Sequence, residues 1–452
     1  MFKKLTRGCV KLVQNYLPDP FLFAVILTLI VYIGGILATG AGPLEMVKFW
    51  AGGFWSLLAF SMQMALVLVT GHTLASTSIV KKALEALAKP CKTPLQAIIA
   101  VTFVSTIACW INWGFGLVVG ALYARQLARI VKGVDYRLLI ASAYSGFIVW
   151  HAGISGSIPL TLATGGDAVA NATKGAVTEA ISTSQTIFSS WNLIIVAVIL
   201  VTMPFLNRAM HPSAEDVITI DPKLLEDDKE ESTGAIKHGD TFADKMENSM
   251  ILSMLIGALG MAYIIYYFAT NGFELNLNIV NFTFLFLGII LHKTPRRFLD
   301  AITAAAKGTA GIILQFPFYA GIMGMMTGAS VATGASFAGV ISEAFVSIST
   351  QTTFPLFTFL SAGIVNFFVP SGGGQWAVQA PIMMPAGAQL GVDAAKTGMA
   401  IAWGDAWTNM IQPFWALPAL GIANLGARDI MGFCLIDLLY TGVIIALGLM
   451  FL

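Results

Sequence analysis

Charged residues are scarce in this 452-residue chain: Asp, Glu, Lys and Arg make up 11% of it, and a typical soluble domain has about 25%. Because 57% of the residues are hydrophobic, a soluble fold would lack the polar surface it needs. The 25 basic and 24 acidic residues nearly balance, which excludes a basic nucleic-acid-binding face. The four cysteines form no C-x-x-C pair and no His/Cys cluster, so neither a disulfide framework nor a zinc site is expected.

Long apolar runs instead predict an all-α polytopic membrane protein, because a helix crosses a bilayer with roughly 20 apolar residues. Uninterrupted spans are expected near 21–39, 54–72, 187–206, 248–270, 278–292, 309–327 and 430–452. Four further runs are interrupted partway, at 94–131, 136–164, 353–390 and 393–425. The first span is longer than the apolar region of a signal peptide, so we expect an uncleaved anchor.

The positions of the basic residues predict the orientation. With the N-terminus in the cytoplasm, 22 of the 25 basic residues lie on the cytoplasmic side, and only Lys48, Lys174 and Lys396 lie outside. Cytoplasmic loops are enriched in Lys and Arg. We therefore expect a cytoplasmic N-terminus and a periplasmic C-terminus.

A charged segment divides the chain into two similar halves. Residues 207–247 hold eleven of the 24 acidic residues and are expected to form a solvated cytoplasmic linker between a first repeat, 1–206, and a second, 248–452. Each repeat contains an apolar arm ending in Asn, a Gly-Val-Asp tripeptide, and then an interrupted span. The charge-derived orientation makes the repeats inverted, which is typical of secondary transporters. We expect a re-entrant hairpin at 94–131 and at 353–390, although two full spans remain an alternative for the first.

The turn of the second hairpin, Pro370–Gln375, is the most informative segment. Its glycines allow a ligand to approach the backbone, and the helix that follows presents free N–H groups to an anion. Side chains of Ser371 and Gln375 are expected to add donors. A tight turn between packed helices is the alternative.

Few polar groups lie within the apolar runs. Asn112 and Asn366, at equivalent places in the two repeats, are expected either to cap a broken helix or to offer a carbonyl oxygen to Na⁺. Asp405 is the main intramembrane carboxylate, and such groups are usually functional. His151 lies at the break of the corresponding span in the first repeat, where it is either a ligand or a hydrogen-bonded core residue. Asp437 is expected to be structural.

Basic residues are missing from both hairpin turns and from the breaks of both interrupted spans. A dicarboxylate or phosphate would be expected to meet a cation. The tryptophans near the breaks are expected mostly to pack. The pattern favours a ligand with one carboxylate and a small apolar body.

Several motifs resemble the bacterial short-chain fatty acid transporter family of the AtoE type, along essentially the whole chain. They are Leu17–Pro20, Phe60–Ala65, Ile111–Gly120, His292–Pro295, Gln315–Gly321, Val369–Gly374 and Gln412–Pro418. The resemblance implies an inner-membrane importer of acetoacetate, butyrate and similar monocarboxylates, coupled to H⁺ or Na⁺. It also implies an elevator motion and a possible homodimer.

By this resemblance, the two hairpin tips would clasp the substrate and the coupling ion, and the two breaks would face them. The implied binding residues are Asn112, Trp113, Gly114, His151, Ser155, Ser157, Asn366, Ser371, Gly372, Gly373, Gly374, Gln375, Asp405, Asn409 and Gln412. No cofactor, certain metal site or nucleic-acid partner is expected.

Other classes of function remain as alternatives. A carrier for a dicarboxylate or an amino acid fits the same fold, and so does a passive channel for short-chain fatty acids. An enzyme is not expected, because the sequence contains no Gly-x-Ser-x-Gly, His-Glu-x-x-His or P-loop motif.

Overall fold

In a computed structural model of the chain, residues 2–221, 241–272 and 277–452 are described, and these contain helices and no strand. The first half contains α1 (Phe2–Tyr16), α2 (Pro20–Thr39), α3 (Pro43–Gly53), α4 (Leu58–Ser76), α5 (Ser78–Ala88), α6 (Pro94–Ile111), α7 (Trp113–Ile130), α8 (Tyr136–Ser145), α9 (Ser157–Thr164), α10 (Gly166–Ala172) and α11 (Ser190–Ala209). The expected all-α architecture is confirmed.

The second half has a comparable set of helices. It contains α12 (Phe242–Glu247), α13 (Met250–Asn271), α14 (Leu277–His292), α15 (Pro295–Ala306), α16 (Ala310–Thr327), α17 (Phe337–Ser347), α18 (Phe354–Phe368), α19 (Gly372–Gln389), α20 (Ala394–Thr408), α21 (Pro413–Ala423) and α22 (Ala427–Phe451).

Six helical segments in the described part of the chain are long and apolar enough to cross a membrane, and a bent pair makes a seventh. The six are Pro20–Thr39, Pro94–Ile111, Ser190–Ala209, Met250–Asn271, Pro295–Thr327 and Ala427–Phe451. The bent pair, α4 and α5, turns by 82° at Thr77. The sequence did not predict this bend, because the expected span ends near residue 72 and the charged residues of α5, including Lys81 and Lys82, were expected to follow it in the cytoplasm. The protein is therefore a membrane protein with several helical spans.

Both interrupted hairpins are pairs of packed helices. In the first, α6 and α7 meet at Asn112 and pack tightly through glycines on α7. A Cβ on Gly116 would lie 2.4 Å from the backbone N of Cys109, and one on Gly120 would lie 2.7 Å from the hydroxyl of Ser105. These glycines thus serve close helix packing. In the second hairpin, α18 and α19 meet at residues 369–371.

The two interrupted spans are also broken where expected. The first consists of α8, a 3₁₀ turn at Gly146–Val149, a non-helical segment at 150–156, and α9. Gly156 within that segment has no room for a Cβ, which would lie 2.5 Å from the carbonyl oxygen of His151. The second consists of α20, a short break, and α21, which begins at Pro413 because proline fits the first turn of a helix.

The first part of the charged segment packs onto the start of α8. The carboxylate of Asp135 accepts hydrogen bonds from the backbone N–H groups of Leu138 and Ile218, both at 2.9 Å. The side chain of Asp216 forms an ion pair with Arg7 on α1. Helix α11 ends at Ala209, so the first residues of the predicted linker are helical. The acidic run at 226–231 lies outside the described residues.

Candidate binding site

The tip of the first hairpin is built around Asn112. This residue is extended and caps α7, with its side-chain oxygen accepting a hydrogen bond from the N–H of Phe115 at 2.9 Å. The capping role that the sequence predicted for Asn112 is therefore present. Trp113 and Gly114 form the first turn of α7, and both are buried.

The tip of the second hairpin is built around Ser371, which caps α19 and accepts a hydrogen bond from the N–H of Gly374 at 3.4 Å. Gly372 is buried, but Gly373 is exposed, and a Cβ on Gly373 would meet no atom within 4 Å. The first turn of α19 thus borders open space at Gly373, and the first turn of a helix is where backbone N–H groups bind anions.

The non-helical segment 150–156 lies between the two tips. On one side, the hydroxyl of Ser155 accepts a hydrogen bond from the backbone N–H of Trp113 at 3.1 Å. On the other side, a Cβ on Gly372 would lie 2.7 Å from Cε1 of His151 and 3.2 Å from Cβ of Ser157. This break therefore connects the two hairpins directly, which sequence spacing could not reveal.

His151 and Asp405 form a buried pair beside the second tip. The Nε2 atom of His151 lies 3.3 Å from Oδ1 of Asp405, and both side chains have no exposed surface. Both ring nitrogens of His151 and Oδ2 of Asp405 have no hydrogen-bond partner among the described residues, so the contact of Nε2 with Asp405 is an ion-pair contact without hydrogen-bond geometry. Asn409 lies beside the same carboxylate, with its Nδ2 atom 3.4 Å from Oδ1 of Asp405. The two ionisable groups that the sequence singled out are thus in direct contact.

Asn366 holds the second hairpin against α20. It lies inside α18 and does not cap a helix, because Ser371 takes that position. Of the two roles expected for Asn366, the structure therefore excludes helix capping. Its Nδ2 atom lies 2.7 Å from the carbonyl oxygen of Asp405, 3.0 Å from the hydroxyl of Thr408 and 2.7 Å from the amide oxygen of Asn409. Its own amide oxygen is buried without a partner in the described structure.

Gln375 and Gln412 differ in whether the Nε2 atom of the side chain has a hydrogen-bond partner. Nε2 of Gln375 donates to the carbonyl oxygen of Ala362 at 2.9 Å and to the side chain of Gln379 at 2.7 Å. This side chain therefore joins α18 to α19, and the structure does not support the predicted donor role at the tip. The side-chain oxygen of Gln412 caps α21, whereas its Nε2 atom is buried without a partner in the described chain.

Aromatic rings surround the break from the first half. Trp150 stacks on Phe147 with ring centroids 5.3 Å apart. The ring centroids of Trp150 and Trp415 are 5.4 Å apart, and those of Trp113 and Trp415 are 5.1 Å apart. Trp403 donates to Asn192 and serves packing, as expected. The site thus has an apolar wall contributed by both halves of the chain.

A cavity of about 460 Å³ reaches the second tip at Gly374. Its lining includes Lys174, which follows α10, and Ser336 and Glu343 from the region of α17. Pockets for small molecules commonly have this size. Sequence reasoning missed this cavity, because Lys174 and α17 lie far in the chain from the hairpin that they approach.

Within the described parts of the chain, no group of three or more His, Cys, Asp or Glu side chains could hold a metal ion. The remaining buried carboxylate, Asp437 on α22, has no hydrogen-bond partner for either oxygen among those residues. The helical spans and the enclosed site between two hairpin tips define a membrane transport protein.

Comparison with known proteins identifies the family. The family described as "Short chain fatty acid transporter" matches residues 1–452. A protein of Escherichia coli K12 is 48% identical over 449 residues, 99% of each chain, and one of Haemophilus influenzae is 46% identical over 454 residues, 100% of each chain. Both relatives carry the name "Putative short-chain fatty acid transporter". The chain belongs to the short-chain fatty acid transporter family, and it is not an enzyme.

Two solved transporters resemble the fold at low sequence identity. The YdaH transporter of Alcanivorax borkumensis aligns with a TM-score of 0.41 and 15% identity, over 96% of this chain and 97% of that one. MtrF of Neisseria gonorrhoeae aligns with a TM-score of 0.38 and 15% identity, over 98% of this chain and 97% of that one.

Proposed function

We propose that this protein imports short-chain monocarboxylates such as butyrate and acetoacetate across the bacterial inner membrane by ion-coupled symport. The observation that carries the proposal is the first turn of α19. This turn borders open space at Gly373, and its hairpin contains no Lys or Arg. A helix N-terminus can hold one carboxylate through N–H groups and its dipole, without a cation.

The aromatic wall supports a small apolar body on the same ligand. Trp113, Trp150 and Trp415 come from three different elements and enclose the break beside the anion site. Apolar surroundings of this kind favour an acyl chain over a polar group on the ligand.

The cavity beside Gly374 supports access from the periplasm in the charge-derived orientation. Lys174 would attract the anion, and Glu343 in the same lining offsets that charge. Because the two charges balance, the cavity gives a second carboxylate no net attraction. A dicarboxylate carrier remains the second candidate, since Lys174 is a cation near the tip.

A site enclosed by two hairpins and a break supports alternating access, with one hairpin body carrying the site across in an elevator motion. The exposed apolar side chains of α13, including Leu255, Leu259 and Tyr266, suit either lipid or a second copy in a homodimer. The N-terminus would lie in the cytoplasm.

The test is uptake of labelled butyrate into proteoliposomes with pH and Na⁺ gradients imposed separately. Protein-free liposomes subtract passive flux of the undissociated acid. We expect saturable uptake that one of the gradients accelerates, together with counterflow. Flux without saturation or counterflow would indicate a channel, and displacement of butyrate by succinate would favour the dicarboxylate carrier.

A further inference from the structure

We propose that His151 and Asp405 together form the proton-binding site that couples transport, so that the coupling ion is H⁺ and one proton accompanies each carboxylate. In this arrangement, protonated His151 is the positive charge that the substrate meets at the tip of the second hairpin. The inference rests on the proposed function and specifies its coupling ion.

The contact between the two groups is the first observation. The imidazole Nε2 atom lies 3.3 Å from the carboxylate of Asp405, and neither side chain has exposed surface. A lone carboxylate in such an environment would be costly. With one bound proton the pair is neutral, either as imidazolium and carboxylate or as imidazole and carboxylic acid.

Charge balance is the second step. A carboxylate that enters this site adds one negative charge, and a net charge inside the membrane is expensive. A second proton on the pair restores neutrality, with His151 as the imidazolium and Asp405 as the acid. On the cytoplasmic side the substrate and that proton leave together, and the pair returns to its one-proton form. The cycle therefore moves no net charge.

Among the described residues, the elements packed directly against the pair offer no other cation at the tip, and Lys174, which lines the cavity beside Gly374, shares that lining with Glu343. Helices α9, α18 and α19, which pack against α20, contain no charged residue. The titratable residues on the elements around the pair are Cys109, Tyr123, Arg125, Arg129, Tyr136, Arg137, Tyr144, Asp167, Lys396, Arg208, Arg428, Asp429, Cys434, Asp437 and Tyr440. Of the basic groups, Lys396 is nine residues from Asp405 on α20, which at 1.5 Å per residue is about 13 Å. Arg125 donates to the carbonyl oxygen of Ile422.

The contact between His151 and the hairpin tip is the third observation. Because a Cβ on Gly372 would lie 2.7 Å from Cε1 and 2.8 Å from Nε2, the ring abuts the backbone that begins the anion-binding turn. A carboxylate at that turn lies beside the ring. Substrate binding then favours proton binding, and proton binding favours substrate binding by the same factor.

Sodium is the competing ion. The amide oxygen of Asn366 and Oδ2 of Asp405 are buried without partners in the described structure, and oxygen atoms of this kind can bind Na⁺. However, the imidazole that contacts Asp405 contributes no oxygen ligand, and it is itself able to carry a proton. The pair therefore favours H⁺.

The experiment measures proton uptake by the purified full-length protein in weakly buffered detergent solution containing a pH indicator. We expect one proton bound per butyrate bound in the wild type, and none in His151→Gln. His72→Gln is the matched control, since His72 on α4 lines a separate pocket with Arg125 and Arg129, and it should retain one proton per butyrate.

Transport measurements complete the test. A pH gradient should accelerate wild-type butyrate uptake in proteoliposomes at least tenfold with no charge movement, and a Na⁺ gradient should have no effect. His151→Gln should lose this acceleration, and its elution profile in detergent checks its insertion and folding. If a variant fails to insert, the inference is tested on the wild type alone, by the number of protons bound per butyrate and by the dependence of uptake on the pH and Na⁺ gradients.

Two outcomes would overturn the inference and leave the proposed function intact: Na⁺-driven uptake, or butyrate binding without proton uptake in the wild type. Full pH-gradient acceleration in His151→Gln would likewise remove His151 from the proton site. Absence of saturable butyrate transport under every gradient would instead refute the proposed function.

Discussion

Adding one methyl group at Gly372 is the sharpest test of the contact between the second hairpin and His151. The new Cβ would lie 2.7 Å from Cε1 and 2.8 Å from Nε2 of the imidazole, closer than real side chains approach. The ring cannot retreat freely, because it is wholly buried, its centroid lies 3.6 Å from that of Trp150, and its Nε2 atom contacts Asp405. The hairpin tip must therefore shift.

The expected magnitude follows from overpacking. Forcing a methyl group into a well-packed site costs about 1–3 kcal/mol, and about 1.4 kcal/mol corresponds to a tenfold change in an equilibrium constant. Gly372→Ala should therefore disfavour this arrangement of the tip and weaken butyrate binding by about five- to 150-fold. The helical preference of Ala over Gly, about 0.5–1 kcal/mol, opposes this cost only in part.

Gly311→Ala is the matched control, since Gly311 also lies in the first turn of a helix. There the new Cβ would meet Gln315 and Leu417 at 3.5 and 3.8 Å, which are ordinary contacts. The assay is butyrate affinity from saturation of initial uptake, with expression and elution profile as checks of folding. Equal affinity in the two variants would refute the proposed contact.

The remaining predictions concern other parts of the molecule. Gly373→Leu should fill the open space beside the anion site and raise the KM for butyrate without altering thermal stability; an unchanged KM would favour a purely structural turn. Lys174→Gln should raise the KM for butyrate by up to about fivefold at low salt, since exposed charge contacts contribute at most ~1 kcal/mol. Lys174→Arg should keep the wild-type KM. A KM for Lys174→Gln that equals the wild-type value at low salt would exclude electrostatic attraction of the anion by Lys174. Asn366→Ala should lower the stability of the protein by about 1–3 kcal/mol, because it leaves buried partners unpaired; thermal unfolding of the wild type and the variant at the same temperature would contradict this. Burial lowers the pKa of His211, so the folded protein resists its protonation. The stability that neutral His211 gives the fold is therefore lost as the pH falls below 6.5, the ordinary pKa of His. Proteolysis of residues 210–221 should accelerate below that pH in the wild type but less in His211→Gln. Equal acceleration in both proteins would show that another group causes the pH dependence.

The spans and their interruptions were predictable because local sequence governs them. Apolar length determines which segments can cross a bilayer, and Pro413 and the glycines at 372–374 interrupt helices through their own backbone chemistry. Capping, one of the two roles expected for Asn112, is present, since Asn is a strong N-cap residue. Asn366 was not correctly placed, because the chain continues in helix past it to Phe368.

By itself, the sequence determined a membrane protein with two interrupted hairpins, two broken spans and a scarcity of cations near them, because composition and helix-breaking residues act locally. Tertiary structure alone decided that His151 meets Asp405 and Gly372, that Gln375 turns into its own hairpin, and that Lys174 lines the cavity. Such contacts join residues that are distant in the chain, or choose among the directions open to one side chain. Packing of helices from both halves makes that choice.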